Sequence, residues 1–337
     1  MKVLLYTGGK RLVGESGIGQ ALVHQKRALT LGGVEFTEDV SEDYDLVHIN
    51  TVLPDARSMA VRAKKAGKKV VYHGHSTMED FRNSFAGSNL TAPLFKKWLC
   101  ACYEEGDLVL TPTEYSRKLL VSYGLRTPVV PVSNGIDTEF FKKEPGQRQR
   151  FREKYGFGDR EKIVLSVGLP IERKGILDVI SLAGQLPQYQ FFWCGHAAAG
   201  LLPSHVRRAM AKAPKNLHFP GYLNREELRD AYGGCDLFLF PTQEETEGIV
   251  MLEALAMEIP VLVRDIPVYE GWLENGVQVW KERVRPGFAN RLREILEGEL
   301  PDLTKEGRAA AEERDLKIIG SRLAAIYHAL VSGTRRQ

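Results

Sequence analysis

The chain has 337 residues, of which 43% are hydrophobic and 26% charged, with a formal net charge of +3. That length suits about two globular domains of about 150 residues each. With only 32 glycines and 16 prolines, collagen-like and low-complexity chains are excluded. So small a charge gives no ground for a nucleic-acid partner, and none is expected.

Short apolar runs alternate with helical patterns from the start. Residues 2–6, 45–50, 69–73, 107–111 and 129–133 read as strands, with helices predicted over 17–31, 57–66, 93–104 and 114–123. The strands are nearly continuous apolar runs, as expected in parallel sheets covered on both faces. The polar stretch 142–150 reads as a linker. A second series follows, with strands at 162–167, 190–194, 217–219, 236–240 and 260–264 and helices at 174–185, 204–212, 225–232 and 248–257. From residue 286 to about 331 the pattern is helical. The expected fold class is α/β, with two Rossmann-like domains facing a central cleft and ligands at the carboxyl ends of the strands. The predicted division is 1–140, a linker at 141–160, 161–315, and a C-terminal helix and tail at 316–337 that could return to the first domain.

Cys100, Cys102, Cys194 and Cys235 form no CxxC pair and have no clustered histidines beside them. Neither a zinc site nor a disulfide scaffold is expected, and a reducing cytosol fits. The apolar stretch after Met1 is too short for a signal-peptide core. The longest apolar region, 248–263, is broken by Glu253, Glu258 and Pro260, so no membrane span is expected. The expectation is a cytoplasmic protein that at most sits on a membrane surface.

Four strand ends carry candidate chemistry. Gln243-Glu244-Glu245-Thr246-Glu247-Gly248-Ile249 leads from a strand into a helix that contains Glu253. Gly248 permits close backbone approach to a ligand, and paired carboxylates accept sugar hydroxyls while repelling phosphate. The same loop also fits a simple acidic cap on the helix dipole. Gly168-Leu169-Pro170-Ile171-Glu172-Arg173-Lys174-Gly175 places a guanidinium and an ammonium at a strand end, either as a diphosphate cradle or as solvated loop cations. Glu15-Ser16-Gly17-Ile18-Gly19-Gln20 has two of the three glycines of a dinucleotide loop, with Leu22 in the third place. It reads as well as a tight turn or as a glycine loop under a donor. His73 and His75 end a buried strand on one side of it, and could face a cleft or be satisfied core residues.

In combination these residues resemble the retaining glycosyltransferases of family four, which have the GT-B fold. Gly168-x5-Lys174-Gly175 followed by Glu245-x7-Glu253 matches the family's paired motif, and Ser133-Asn134-Gly135-Ile136-Asp137 is similar to the segment that ends its first domain. The stretches 73–85 and 264–272 are similar to a subgroup of Gram-positive glycolipid synthases that add a second hexose to monoglucosyldiacylglycerol. The product serves as a membrane glycolipid and lipoteichoic acid anchor.

The resemblance implies a metal-free UDP-hexose transfer with retention, galactose being favoured over glucose and a 1,2 linkage over others. The first domain would face the acceptor and the second the nucleotide sugar. Arg173 and Lys174 would bind the diphosphate and neutralise the leaving UDP, with Gly168 at their strand end. Glu253 would hold the ribose, while Glu245 and the Gly248-Ile249 backbone would hold the hexose. His75 would line the cleft beside that hexose, and Gly17 and Gly19 would admit the donor phosphate or the acceptor. Glu247 departs from the family pattern, in which many relatives carry an aromatic or small residue there.

A lipid acceptor would need contact with the inner face of an anionic membrane. Phe81, Arg82 and Phe85 form the candidate loop, followed by Lys96, Lys97 and Trp98 on a helix whose apolar face would hold Leu94, Phe95, Trp98, Leu99 and Cys102. That face could equally pack into the sheet. A soluble or polysaccharide acceptor, a sugar-nucleotide epimerase and a non-catalytic UDP-sugar-binding module are the other readings.

Overall fold

The computed structural model describes residues 1–9, 17–85, 87–197, 200 and 202–333. The chain divides into two compact units. One comprises Met1–Glu79, Leu90–Asp137 and the chain from Glu313 onward; the other comprises Asp80–Asn89 and Thr138–Glu312.

In the first unit, β1 (Lys2–Tyr6), β2 (Glu35–Thr37), β3 (Leu46–Ile49), β4 (Lys69–His73), β5 (Leu108–Thr111) and β6 (Val129–Pro131) form one parallel sheet in the order β2-β1-β3-β4-β5-β6. Helices α1 (Gly17–Leu31), α2 (Pro54–Lys65), the single turn α3 (Met78–Phe81), α4 (Ser88–Tyr103) and α5 (Glu114–Ser122) occur along this half of the sequence. The register pairs Leu4 with Val47 and Ile49 with Tyr72. One core, containing Val3, Leu5, Val71 and Leu110, is completed by Leu316, Ile319, Leu323 and Tyr327 from the last helix. The opposite core joins Leu4, Val47, Val70 and Val109 to Met59, Leu99 and Cys102.

Besides Asp80–Asn89, the second unit contains α6 (Gln147–Tyr155), β7 (Ile163–Val167), α7 (Ile176–Gln185), β8 (Gln190–Cys194), α8 (Ser204–Ala211), β9 (Leu217–Gly221), α9 (Arg225–Gly234) and β10 (Leu237–Phe240). It continues through α10 (Ile249–Ala256), β11 (Val261–Arg264), β12 (Trp280–Glu282), α11 (Arg285–Leu296) and α12 (Thr304–Glu312); α13 (Leu316–Ser332) then belongs to the first unit. The second sheet is parallel too, in the order β12-β11-β10-β7-β8-β9. Trp193, Phe191, Leu239 and Leu262 lie in its core with Ile176, Val179 and Leu292 from the covering helices.

Both sheets reverse direction of growth once, between β1 and β3 in the first and between β7 and β10 in the second. Adjacent strand ends at such a point diverge into helices on opposite faces, which opens a crevice for ligands. The loops after β7 and β10 carry the two motifs picked out in the second half.

Three local readings change. No strand is predicted at β2 or β12, because Glu35-Phe36-Thr37 and Trp280-Lys281-Glu282 are short edge segments without an apolar run. The stretch read as a linker runs into a helix, α6, whose Phe151 is buried against Phe192 and whose Arg152 bonds Asp236 at 2.8 Å. The helical tail is broken into α11, α12 and α13, with Asp315 capping the last through the Lys317 amide. Among the described residues no helix is long and apolar enough to cross a membrane.

Candidate active site

The second unit's site is built at the carboxyl ends of β7 and β10. After β7 the chain passes Gly168, whose carbonyl accepts from Trp193 Nε1 at 3.0 Å, into a short 3-10 turn, Glu172–Lys174. Gly175 ends the turn at φ +84°, where a Cβ would lie 2.6 Å from the Pro241 carbonyl oxygen. Only glycine lets this turn lie so close to the loop after β10. The two loops are then stitched together, since the Gln243 amide donates to Arg173 O at 2.7 Å and the Thr242 hydroxyl to the same carbonyl at 3.3 Å.

Four ionisable side chains converge there. Lys174 Nζ is hydrogen-bonded to Glu245 Oε1, and Arg173 Nη1 lies 2.8 Å from Asp80 Oδ1 and 3.8 Å from Glu245 Oε1. Arg173 Nε also donates to Ser84 Oγ at 3.0 Å, and Nη1 to the Glu244 carbonyl at 2.7 Å. Burial alone would raise the Glu245 carboxyl, but Lys174 and Arg173 reverse this and hold it below its ordinary range. Burial lowers the Lys174 ammonium and raises Asp80, each offset in part by its partner. Two cations and two carboxylates thus form a closely spaced, low-solvent cluster.

The other carboxylate of the acidic loop motif is placed differently. Glu253 lies in α10 at 3% exposure and accepts from the Tyr232 hydroxyl at 2.8 Å; burial pushes its carboxyl up to about 7, partly countered by that bond and by Arg225. Gly248, at φ +92°, starts α10 without a side-chain cap, so the amides around Ile249 remain the donors at the helix end. Glu247 is buried at 1% exposure. Arg264, in the second subgroup-like stretch, supports this loop from below: Nε donates to Pro241 O at 3.1 Å and Nη2 to Asp178 at 2.8 Å.

In the first unit, His48, His73 and His75 stack as a column, with ring centroids 5.3 Å and then 4.0 Å apart. Burial disfavours charge on all three, and His73 is pulled down to about 4. His75 Nε2 lies 3.3 Å from Asn50 Oδ1. Ile18, Asn50, Thr51, His73, His75 and Tyr103 help line a cavity of about 140 Å³ at the β1/β3 reversal. The start of α1 therefore meets His75 at one pocket. Gly19 is buried, while a Cβ on Gly17 would meet nothing within 4 Å. Glu15 and Ser16 of that motif lie outside the described residues.

The expected acceptor-contact residues divide. Trp98 turns inward and donates from Nε1 to Val52 O at 2.5 Å, and Lys96 lies 4.2 Å from the centroid of the Tyr123 ring. Arg82 and Lys97 are exposed, while Phe81 and Phe85 are half-buried. The helix begins at Ser88 rather than 93, with Ala92, Leu99 and Cys102 fully buried and Phe95 packed beside them. Leu94, expected on the packing face, is 70% exposed, and Leu90 is 88% exposed. Sequence reasoning does not single out Asp80, Ser84 or Tyr232; the first two fall inside the subgroup-like stretch 73–85, and Tyr232 carries no signal.

Among the described residues no group of three His, Cys, Asp or Glu side chains could hold a metal ion. The chain aligns with the solved structure of Anabaena HepE in complex with UDP-glucose at a TM-score of 0.80 and 17% identity, over 98% of this chain and 100% of that one. Two parallel doubly wound sheets of this kind define a GT-B protein, and residues 35–140 and 147–314 match the families described as Glycosyltransferase Family 4 and Glycosyl transferases group 1. The chain is 38% identical to the processive diacylglycerol alpha-glucosyltransferase of Acholeplasma laidlawii, over 98% of this chain and 99% of the relative. It is 27% identical to the alpha-galactosylglucosyldiacylglycerol synthase of Streptococcus pneumoniae, over 82% of this chain and 75% of that one. The chain belongs to the family-four glycosyltransferases, and it is an enzyme of sugar transfer.

Proposed function

We propose that this enzyme moves a hexose from a UDP-hexose, with retention, onto monoglucosyldiacylglycerol at the inner face of an anionic membrane, making a diglycosyldiacylglycerol of the kind that anchors lipoteichoic acid. The full-length likeness to a diacylglycerol glucosyltransferase carries this reading. It favours glucose as the hexose, against the galactose suggested by the subgroup-like stretches, and the pneumococcal relative keeps galactose open.

The site chemistry supports a nucleotide-sugar donor. Arg173 and Lys174 take the diphosphate and offset the charge that builds on departing UDP, a stabilisation that grows towards the transition state. Glu245, freed from Lys174 as the phosphate arrives, accepts hexose hydroxyls with the amides of Gly248 and Ile249, while Gly168 leaves room beside the Lys174 stem. Glu253 accepts the ribose hydroxyls. In the first unit His75, held neutral, donates to or accepts from a hydroxyl without repelling a cationic centre. Gly17 and Gly19 leave the approach to that pocket unobstructed. The segment with Phe81, Arg82 and Phe85, and the Lys97 face of α4, meet the lipid surface.

The test is a donor screen on purified protein with vesicles containing monoglucosyldiacylglycerol or diacylglycerol, followed by linkage analysis. Labelled diglycosyl lipid from UDP-glucose or UDP-galactose is the expected product. Transfer only to a soluble saccharide would overturn the acceptor assignment, and UDP binding without turnover on any acceptor would leave a binding module.

A further inference from the structure

We infer that Asp80 and Ser84 are positioning residues that set the guanidinium of Arg173 for leaving-group stabilisation; the inference rests on the donor site proposed above. A guanidinium is planar, with donors at fixed angles, so holding two of its nitrogens fixes the third. Here Nε is taken by Ser84 Oγ at 3.0 Å and Nη1 donates to the Glu244 carbonyl at 2.7 Å, while Asp80 Oδ1 pairs its charge with Nη1 at 2.8 Å. Nη2 has no hydrogen-bond partner among the described residues, which leaves one nitrogen and two N–H groups for an anion.

The backbone is set by the same segment. The Arg173 amide donates to Asn83 O at 3.2 Å. Asn83 holds φ +55°, a conformation asparagine tolerates, and it exchanges bonds of 2.9 and 2.8 Å with the Asn89 side chain. Asp80–Asn89 is grouped with the second unit although the sequence on either side of it is in the first. It is also the segment with Phe81, Arg82 and Phe85. The piece of chain proposed to meet the acceptor therefore aims the cation that receives the leaving diphosphate.

The carboxylate makes a distinctive prediction. Asp80 orients Arg173 but also repels phosphate. Replacing it removes the aim and the repulsion together. In Asp80→Asn, kcat falls about tenfold while the inhibition constant for UDP stays the same or tightens. Ser84→Ala gives a smaller fall in kcat with UDP affinity unchanged, and Asp80→Glu recovers part of the loss. In an Arg173→Lys background, which has no planar fork to orient, Asp80→Asn lowers kcat by less than threefold, because residues acting as one unit are not additive. Full additivity in that background, or unchanged kcat in Asp80→Asn and Ser84→Ala, overturns the inference while leaving the donor site standing. Unchanged kcat and UDP affinity in Arg173→Ala overturn the donor site itself, and this inference with it. Variants are compared at matched folded fraction by thermal unfolding, so that a proportional loss of kcat and UDP affinity counts against a positioning role.

Discussion

Glu253 shows how much one side chain's surroundings decide. Its carboxyl is buried beside the Tyr232 hydroxyl and pushed up from an ordinary 4.5 to about 7, so it is part protonated at neutral pH. A carboxylate accepts two ribose hydroxyls and a carboxylic acid accepts them less well. The expected result is that kcat/KM for the donor rises between pH 6 and 8, and that Glu253→Gln lowers it and flattens the rise; a wild-type profile already flat there removes Glu253 from the donor site. The same shift bears on stability. The folded value lies above the unfolded one, so the group favours folding below about pH 4.5 and that contribution is lost as pH rises through 7. Glu253→Gln should therefore stabilise the free enzyme more at pH 8 than at pH 5, by a difference of about 3 kcal/mol at most, read by denaturant unfolding at the two pH values. The sequence marks Glu253 through its spacing from Glu245. It gives no sign of Tyr232, because a hydroxyl that meets a carboxylate from a neighbouring helix leaves no periodic pattern.

Elements are legible where burial repeats and illegible where a single contact decides. The apolar strands β1, β4, β8 and β10 stand out because both faces are covered, whereas β2 and β12 are three-residue edges whose pairing needs the neighbouring strand. The turn before α7 depends on one atom's room. Gly175→Ala puts a Cβ against Pro241 and a side chain at φ +84°, which should cost about 1–3 kcal/mol in denaturant unfolding and raise the donor KM as the two loops part. A neutral effect on both would mean the loops separate freely. For α4 the period alone was ambiguous between a packing face and a membrane face. The structure assigns Phe95, Leu99 and Cys102 to the core and leaves Leu90, Leu94 and Lys97 outside. Leu90→Ser with Leu94→Ser should therefore weaken sedimentation with anionic vesicles several-fold at unchanged unfolding midpoint. Trp98→Phe, which forfeits the bond to Val52, should instead lower stability by about 1 kcal/mol and leave vesicle binding alone.

At the scale of the molecule, alternation of strand and helix was enough for the fold class, but strand order was not, since it depends on which side of β1 and β7 the chain turns. The last helix illustrates the longest reach of chain in the fold. α13 lies more than 280 residues after α1, yet Gly320 stands against the Ala28 carbonyl and Gly32, and the hydroxyl of Tyr327 meets His48 Nδ1 at 2.5 Å. Asp315 bridges Ile136 in the same unit, and Asp137 beside it holds Arg27 Nε at 2.9 Å. The first unit's core is therefore incomplete until the end of the chain has been made. Gly320→Val puts side-chain atoms where the two helices approach closely, and backbone rather than a flexible side chain would have to yield. It should destabilise this unit by about 1–3 kcal/mol. Hydrogen exchange locates the effect: amides in β1 and β4 lose protection while those in β7 and β10 keep theirs. Equal loss in all four strands would mean that the two units open as a single cooperative block, and unchanged protection in β1 would mean that α13 is dispensable to the core it completes.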